Sequence, residues 1–172
     1  RIAEAARSQV GVLENEKNFS ESIAKYKSIL NSPKHNPWCV DFAQWCCNKA
    51  LSPGKKVNLP ATASTVDLYL KGRKLGFVKD VKSIEILPGM IILCSTKTID
   101  TPVIKSGKYQ DKDGTWFHGH TRVSDGFDSM SGDILTVEGN THTRFGQTDG
   151  VYKKRINISS ALILGVFVPE EV

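Results

Sequence analysis

No apolar run in this chain approaches the roughly 20 residues that a membrane-spanning helix needs. The longest, "MIILC" and "ALILGVFV", are strand-sized, so no helical span is expected. Cysteine is scarce, with four residues at positions 39, 46, 47 and 94 and no Cys-x-x-Cys pair. That excludes a zinc-ribbon framework, and so low a density does not make a secreted disulfide scaffold. A single disulfide stays open. There is no internal repeat, no low-complexity tract, and no arginine stripe with interleaved aromatics. The 23 Lys and Arg against 18 Asp and Glu leave a formal charge of +5, with lysines clustered only in "GKK" and "YKKR". This argues against a nucleic-acid groove and leaves either attraction to a polyanion or ordinary solvation.

What is present is an ordinary globular composition, 40% hydrophobic and 24% charged over 172 residues, enough for one domain with a substantial core. The first residue is Arg1 rather than Met, so a leader or a further domain is expected to have been removed, and targeting is not legible. Residues 1 to 10 read as a helix with Ile2, Ala6 and Val10 on one face and Gly11 as its stop. A second helix follows Ser20, with Ile23, Tyr26 and Leu30 inward, and "NSPKHNP" breaks it. A third starts near Cys39. Cys39, Phe42, Ala43, Cys46 and Ala50 form its apolar stripe, and Asp41, Gln44 and Asn48 fall opposite. A short helix is expected over 64–71. After Gly72, "KLGFVKD", "GMIILCST", "TPVIKSGKYQ", "TWFHGHTRVS", "DILTVEG", "GVYKKRINI" and "LILGVFVP" read as strands, with turns at Pro88-Gly89, "DKDG" and "SDG". Helices followed by strands predict an α+β domain with N-terminal helices packed on an antiparallel sheet.

The chemistry centres on "NPWCVDFAQWCCNKA", residues 36–50. A cysteine in the first helical turn meets unpaired N–H groups and the positive end of the helix dipole, which favour the thiolate. Position alone equally allows Cys39 to be a small packing residue, as Cys46 is expected to be. A nucleophilic thiol needs a base, and only His35, His118, His120 and His142 are available. His118 and His120 are two apart on a predicted strand and share a side. An imidazole base in turn needs a partner to hold its tautomer, and "TVEGNTHT" offers Glu138 and Asn140 one strand later. "DKDG" places Asp111 and Asp113 two apart, but the other ligands of a calcium loop are missing, which favours a hairpin turn.

The order of these features resembles the CHAP domains (cysteine- and histidine-dependent amidohydrolases/peptidases), relatives of the NlpC/P60 enzymes with a papain-like fold. The similarity rests on "AARSQVGVLENEKN", "PWCVDFAQWCC", "LPGMIIL", "GHTRV", "VEGNT" and the closing "GVYKKR" and "LGVFVP", in the family's order over nearly the whole chain. It implies a single catalytic domain over 1–172, with Cys39 as nucleophile, His120 as base, and Glu138 and Asn140 orienting the ring. It also implies hydrolysis of amide bonds in bacterial peptidoglycan, in the periplasm or extracellular wall, as a lysin, an autolysin or an antibacterial effector. No cofactor or metal is expected. Trp38, His118 and Arg122 are expected to line the substrate cleft, and the Cys39 N–H, with Asn36 or His35, to face the oxyanion. The partner is a stem or cross-bridge peptide, with an immunity or inhibitor protein if the chain is an effector. Met90 stands where the family usually has Asp, Arg122 where it has a small residue, and the stretch 96–119 is long enough for an added hairpin at the cleft rim. A catalytically silent wall-binding module, or an amidohydrolase acting on a protein or small amide, are the alternatives on the same fold.

Overall fold

The helical half of the chain precedes the strand half, as its periodicities predict. The computed structural model describes residues 1–172. The chain runs α1 (Ile2–Arg7), α2 (Glu21–Lys27), α3 (Cys39–Lys49), α4 (Thr65–Lys74), β1 (Val78–Lys79), β2 (Ile91–Ser95), α5 (Thr101–Lys105), β3 (Gly119–Asp128), β4 (Asp133–Thr141), β5 (Gly150–Asn157) and β6 (Ile163–Phe167). The strands form one six-stranded sheet in the order β1-β6-β2-β3-β4-β5, antiparallel throughout. The fold is therefore α+β with an antiparallel sheet. No helix is long and apolar enough to cross a membrane.

Alternation along the strands gives the sheet two apolar faces. Ile91, Leu93, Val123 and Val137 join α3 in the larger cluster. Ile92, Cys94, Ile134, Ile156 and Val166 form a second one. β2 and β6 are buried along their whole length, which is why both read as unbroken apolar runs rather than as alternating strands.

Helix α3 differs from its predicted amphipathic form, because every residue from Cys39 to Cys47 is buried. It lies between the sheet (β3 and β4) on one side and α1 and α2 on the other, so Asp41 and Gln44 do not face solvent. Chain outside the helix meets the Gln44 amide and Asp41 Oδ1, while Asp41 Oδ2 has no hydrogen-bond partner. Ser32 Oγ donates to Asp41 Oδ1 at 2.5 Å, and Gln44 Nε2 donates to the Pro60 carbonyl at 2.8 Å. Burial raises the Asp41 carboxyl above its ordinary value despite Ser32 and nearby Lys27.

Four other expectations shift. α1 stops at Arg7, and the chain beyond it runs alongside β5, with the Gly11 N–H on the Val151 carbonyl and the Val151 N–H on that of Val12. Leu30, expected inside α2, lies past its end and is half-buried. "TPVIKSGKYQ" is not a strand. Its first half forms α5, with a proline in the first turn, where the missing N–H costs nothing. "SDG" is no turn either but a bulge inside β3, where the register slips between Ser124 and Gly126. The "DKDG" turn is real, with Asp111 Oδ1 accepting from the N–H groups of Asp113 and Thr115. It belongs to a small hairpin closed by Gln110 and Trp116. All four cysteines are free thiols.

Candidate active site

Cys39 is the first residue of α3, and the first helical hydrogen bond runs from the Phe42 N–H to the Trp38 carbonyl at 2.9 Å. The N–H groups ahead of that bond have no helical acceptor and point out of the helix start. Two glycines allow the sheet to come close. A Cβ on Gly139 would lie 2.7 Å from the Trp38 ring and 2.8 Å from Phe42, and one on Gly119 would lie 2.7 Å from both the Cys94 carbonyl and Thr65 Cβ. The glycines of "VEGNT" and "GHTRV" are therefore the places where α3 and α4 press against β4 and β3. Gly139→Ala should cost about 1–3 kcal/mol through overpacking and move the start of α3 off the sheet. A melting temperature unchanged from wild type would contradict this packing.

This close approach brings three groups into line. Cys39 and the His120 ring sit close enough that each shifts the other's ionisation, and His120 Nε2 lies 2.9 Å from Glu138 Oε1. With Nε2 on the carboxylate, Nδ1 is the ring nitrogen left for the thiol. Thr65 supports the sulfur from α4, with Oγ1 3.9 Å from Sγ and 2.8 Å from Thr121 Oγ1. Ser64 starts that helix by accepting the Asp67 N–H, a capping pattern present in "STVD".

The charges follow from burial set against partners. Burial pushes the Cys39 thiol up, but His120, the Thr121 N–H and Thr65 outweigh it, and the thiol ends below its ordinary value. Burial pulls His120 down, yet Cys39 and Glu138 raise it to about 9. Glu138 is fully buried, which disfavours its charge, but His120, Arg122 and Thr136 hold it at about 2. Both shifts act toward a thiolate–imidazolium pair backed by a carboxylate. By contrast, burial raises Cys47 to about 12 and Cys94 to about 11, and raises Cys46 well above its ordinary value. Those three are inert packing thiols.

The remaining expected site residues separate. Asn140 does not join Glu138 at the imidazole, although the two are two apart. The β4–β5 register slips between Glu138 and Thr141, and Asn140 adopts φ 59°, which redirects its side chain. Its Oδ1 accepts the Trp38 N–H at 3.0 Å, and its Nδ2 donates to Glu14 and Asn18, each at 3.2 Å. Asn140 thus fixes the peptide just before Cys39. Trp38, expected on the cleft, is fully buried. Its ring stacks on Tyr26 at 5.6 Å between centroids, and its Nε1–H reaches Glu14 at 2.8 Å, the usual way to bury an indole.

His118 lies one residue before β3 and is exposed, with its carbonyl accepting from Thr96. His35 is exposed with Nδ1 on the Lys17 carbonyl. Asn36 is exposed, and Lys27 Nζ holds its carbonyl at 2.5 Å. Arg122, expected to face substrate, turns instead to Glu138, with Nη1 2.6 Å from Oε2 and a side chain only 12% exposed. Sequence reasoning missed Glu14, Thr65, Thr121 and Thr136, whose types are common and whose spacing carries no periodic signal.

An apolar cavity of about 360 Å³ lies between Ile2, Cys47, Ala50 and Val168, at the end of α3 opposite Cys39. A polar one of about 580 Å³, lined by Glu14, His142 and Asp149 among others, opens on the Glu14 side of Asn140. No family model matches the chain, and no curated protein or solved structure matches it.

Proposed function

We propose that this chain is a cysteine-dependent amide hydrolase of the CHAP and NlpC/P60 type, with a papain-like arrangement of helix and sheet, acting on bacterial peptidoglycan. The observation that carries the reaction class is the single line Cys39–His120–Glu138. A helix-start thiol has its pKa lowered by an imidazole, and a buried carboxylate 2.9 Å away holds that imidazole protonated. The substrate class rests on the resemblance of the motifs and on a net charge of +5, which suits an anionic wall.

In this reading the Cys39 thiolate attacks the amide carbonyl carbon, forming the C–S bond and an oxyanion that the Cys39 N–H stabilises. The His120 imidazolium gives its proton to the amide nitrogen as the C–N bond breaks and the amine leaves. His120 then takes a proton from water, whose oxygen attacks the thioester carbonyl. The C–S bond breaks, the acid is released and the thiolate–imidazolium pair is restored. Glu138 stabilises the ring each time it carries the extra proton.

The test is mass spectrometry of purified peptidoglycan after incubation with the protein, with Cys39→Ala as control. New stem-peptide or cross-bridge fragments ending in a free amine and a free carboxyl are expected from the wild type only. Intact peptidoglycan together with cleavage of a protein or small amide would move the substrate and leave the reaction class. No cleavage of any amide, with Cys39 unreactive, would favour a silent binding module.

A further inference from the structure

Arg122 is a buried cation that the hydrolytic cycle above does not use. It projects from β3 on the same side as His120, and the register that pairs Val123 with Val137 sets it beside Glu138. Its Nη1 meets Glu138 Oε2 at 2.6 Å, and Thr136 Oγ1 donates to the same oxygen at 2.5 Å. The other oxygen, Oε1, belongs to His120. The two oxygens are thus divided, one for the ring and one for a fixed donor pair.

The other groups facing this carboxylate do not replace Arg122. Lys154 on β5 holds its Nζ 4.0 Å from Oε1 and is more exposed than Arg122. Tyr152 lies opposite Glu138 in the β4–β5 register. Cys94 on β2 is raised to about 11 by burial and stays a neutral thiol. Arg122 is the one cation in hydrogen-bond contact with Oε2.

That contact bears on where a proton resides. Cys39, His120 and Glu138 share one proton between two potential anions and one ring. A fully buried carboxylate left with the ring alone is a good place for that proton, because burial favours the neutral acid. Were it to settle there, the ring would be neutral, the sulfur would lose its imidazolium partner, and the unsupported thiolate would take up a second proton from solvent. A guanidinium that stays charged at any working pH makes the carboxylate the worst place for the proton.

We propose that Arg122 is a positioning residue: by gripping the Glu138 oxygen that His120 leaves free, it keeps the carboxylate ionised and aimed, so the shared proton stays on the ring and the Cys39 sulfur stays anionic. The inference rests on Cys39–His120–Glu138 being the reactive line, but not on the substrate.

The experiment is the pH dependence of Cys39 alkylation by iodoacetamide, which needs no substrate, read beside a thermal melt. Arg122→Gln should raise the apparent pKa of alkylation by about one unit or more, which lowers the labelling rate near pH 6 about tenfold. Arg122→Lys keeps the charge and should restore most of that rate. A purely structural role would lower the melting temperature and leave the alkylation pKa in place. A folded Arg122→Gln protein with an unmoved or lowered alkylation pKa overturns the proposal.

If Arg122→Gln does not fold, the wild type carries the test through infrared difference spectra against Glu138→Gln. No protonated Glu138 band is expected down to about pH 3, against an ordinary carboxyl titrating near 4.3. A band growing in at about pH 4–5 overturns the proposal. If wild-type Cys39 itself labels no faster than an ordinary thiol, the hydrolase reading fails first.

Discussion

Cys39→Ala should abolish amide hydrolysis, a loss on the order of 10⁴-fold or more for removal of a nucleophile, while the protein keeps its wild-type melt. Alanine keeps the Cβ in place and gives up only what the sulfur itself meets, the Thr65 hydroxyl at 3.9 Å among it. The same thiol should be the first to react with iodoacetamide near pH 6. It is 7% exposed, against 0% for Cys46 and 1% each for Cys47 and Cys94. It is also the one cysteine whose environment lowers the pKa rather than raising it. Exposure and ionisation act in the same direction, so selectivity should be large. The check is peptide mapping after brief labelling, beside the rate of Cys39→Ala on peptidoglycan. Labelling of Cys46 or Cys47 ahead of Cys39, or an active Cys39→Ala protein, would place the chemistry elsewhere.

The parts of this fold legible in the sequence are those set by local periodicity. Ile23 and Tyr26 point inward from α2, and the runs "IILCS" and "ILGVF" are the two strands buried on both faces. Where a tertiary neighbour decides, the sequence is silent. Asp41 and Gln44 look solvent-facing by helical spacing, but chain outside the helix, at Ser32 and Pro60, meets them in the interior. "TPVIKSG" has the β-branched content of a strand, but its proline sits where a helix starts.

The site divides in the same way. His120 and Glu138 are recoverable because each motif carries a glycine that the packing requires, next to the candidate residue, and Cys39 because it starts a strongly periodic helix. Asn140 was placed on the wrong partner because two-residue spacing assumes a regular strand, and the positive φ at Asn140 breaks that rule. Arg122 was assigned to the correct side of β3, but nothing in a single sequence says that the carboxylate on the next strand is already there to take its charge. The resemblance implies a cleft position for Trp38, but its ring is fully buried. The acceptor for its indole, Glu14, lies 24 residues away on a loop.

His120→Ala should lower the hydrolysis rate by on the order of a hundredfold or more, whereas His118→Ala should stay near wild type, because His118 is exposed and outside β3. The pH profile identifies the cause. His120 is raised to about 9, above the free-imidazole value, so its proton is held through neutral pH and lost as pH rises through about 9. That sets the alkaline limb. Cys39 is lowered, so the acid limb, where the thiolate takes up its proton, lies below the ordinary thiol value.

Glu138→Gln removes the charge that favours the protonated ring. His120 should fall toward its ordinary value, bringing the alkaline limb down, and the thiol should rise with the weaker ion pair, bringing the acid limb up. The active range narrows from both sides and its maximum drops. Asn140→Ala acts on a different contact, the Trp38 N–H, so it should lower the maximum and leave both limbs in place. Full profiles of kcat/KM for the wild type and these two variants separate the roles. Limbs that move more in Asn140→Ala than in Glu138→Gln would show that the amide, not the carboxylate, sets the charge of the ring.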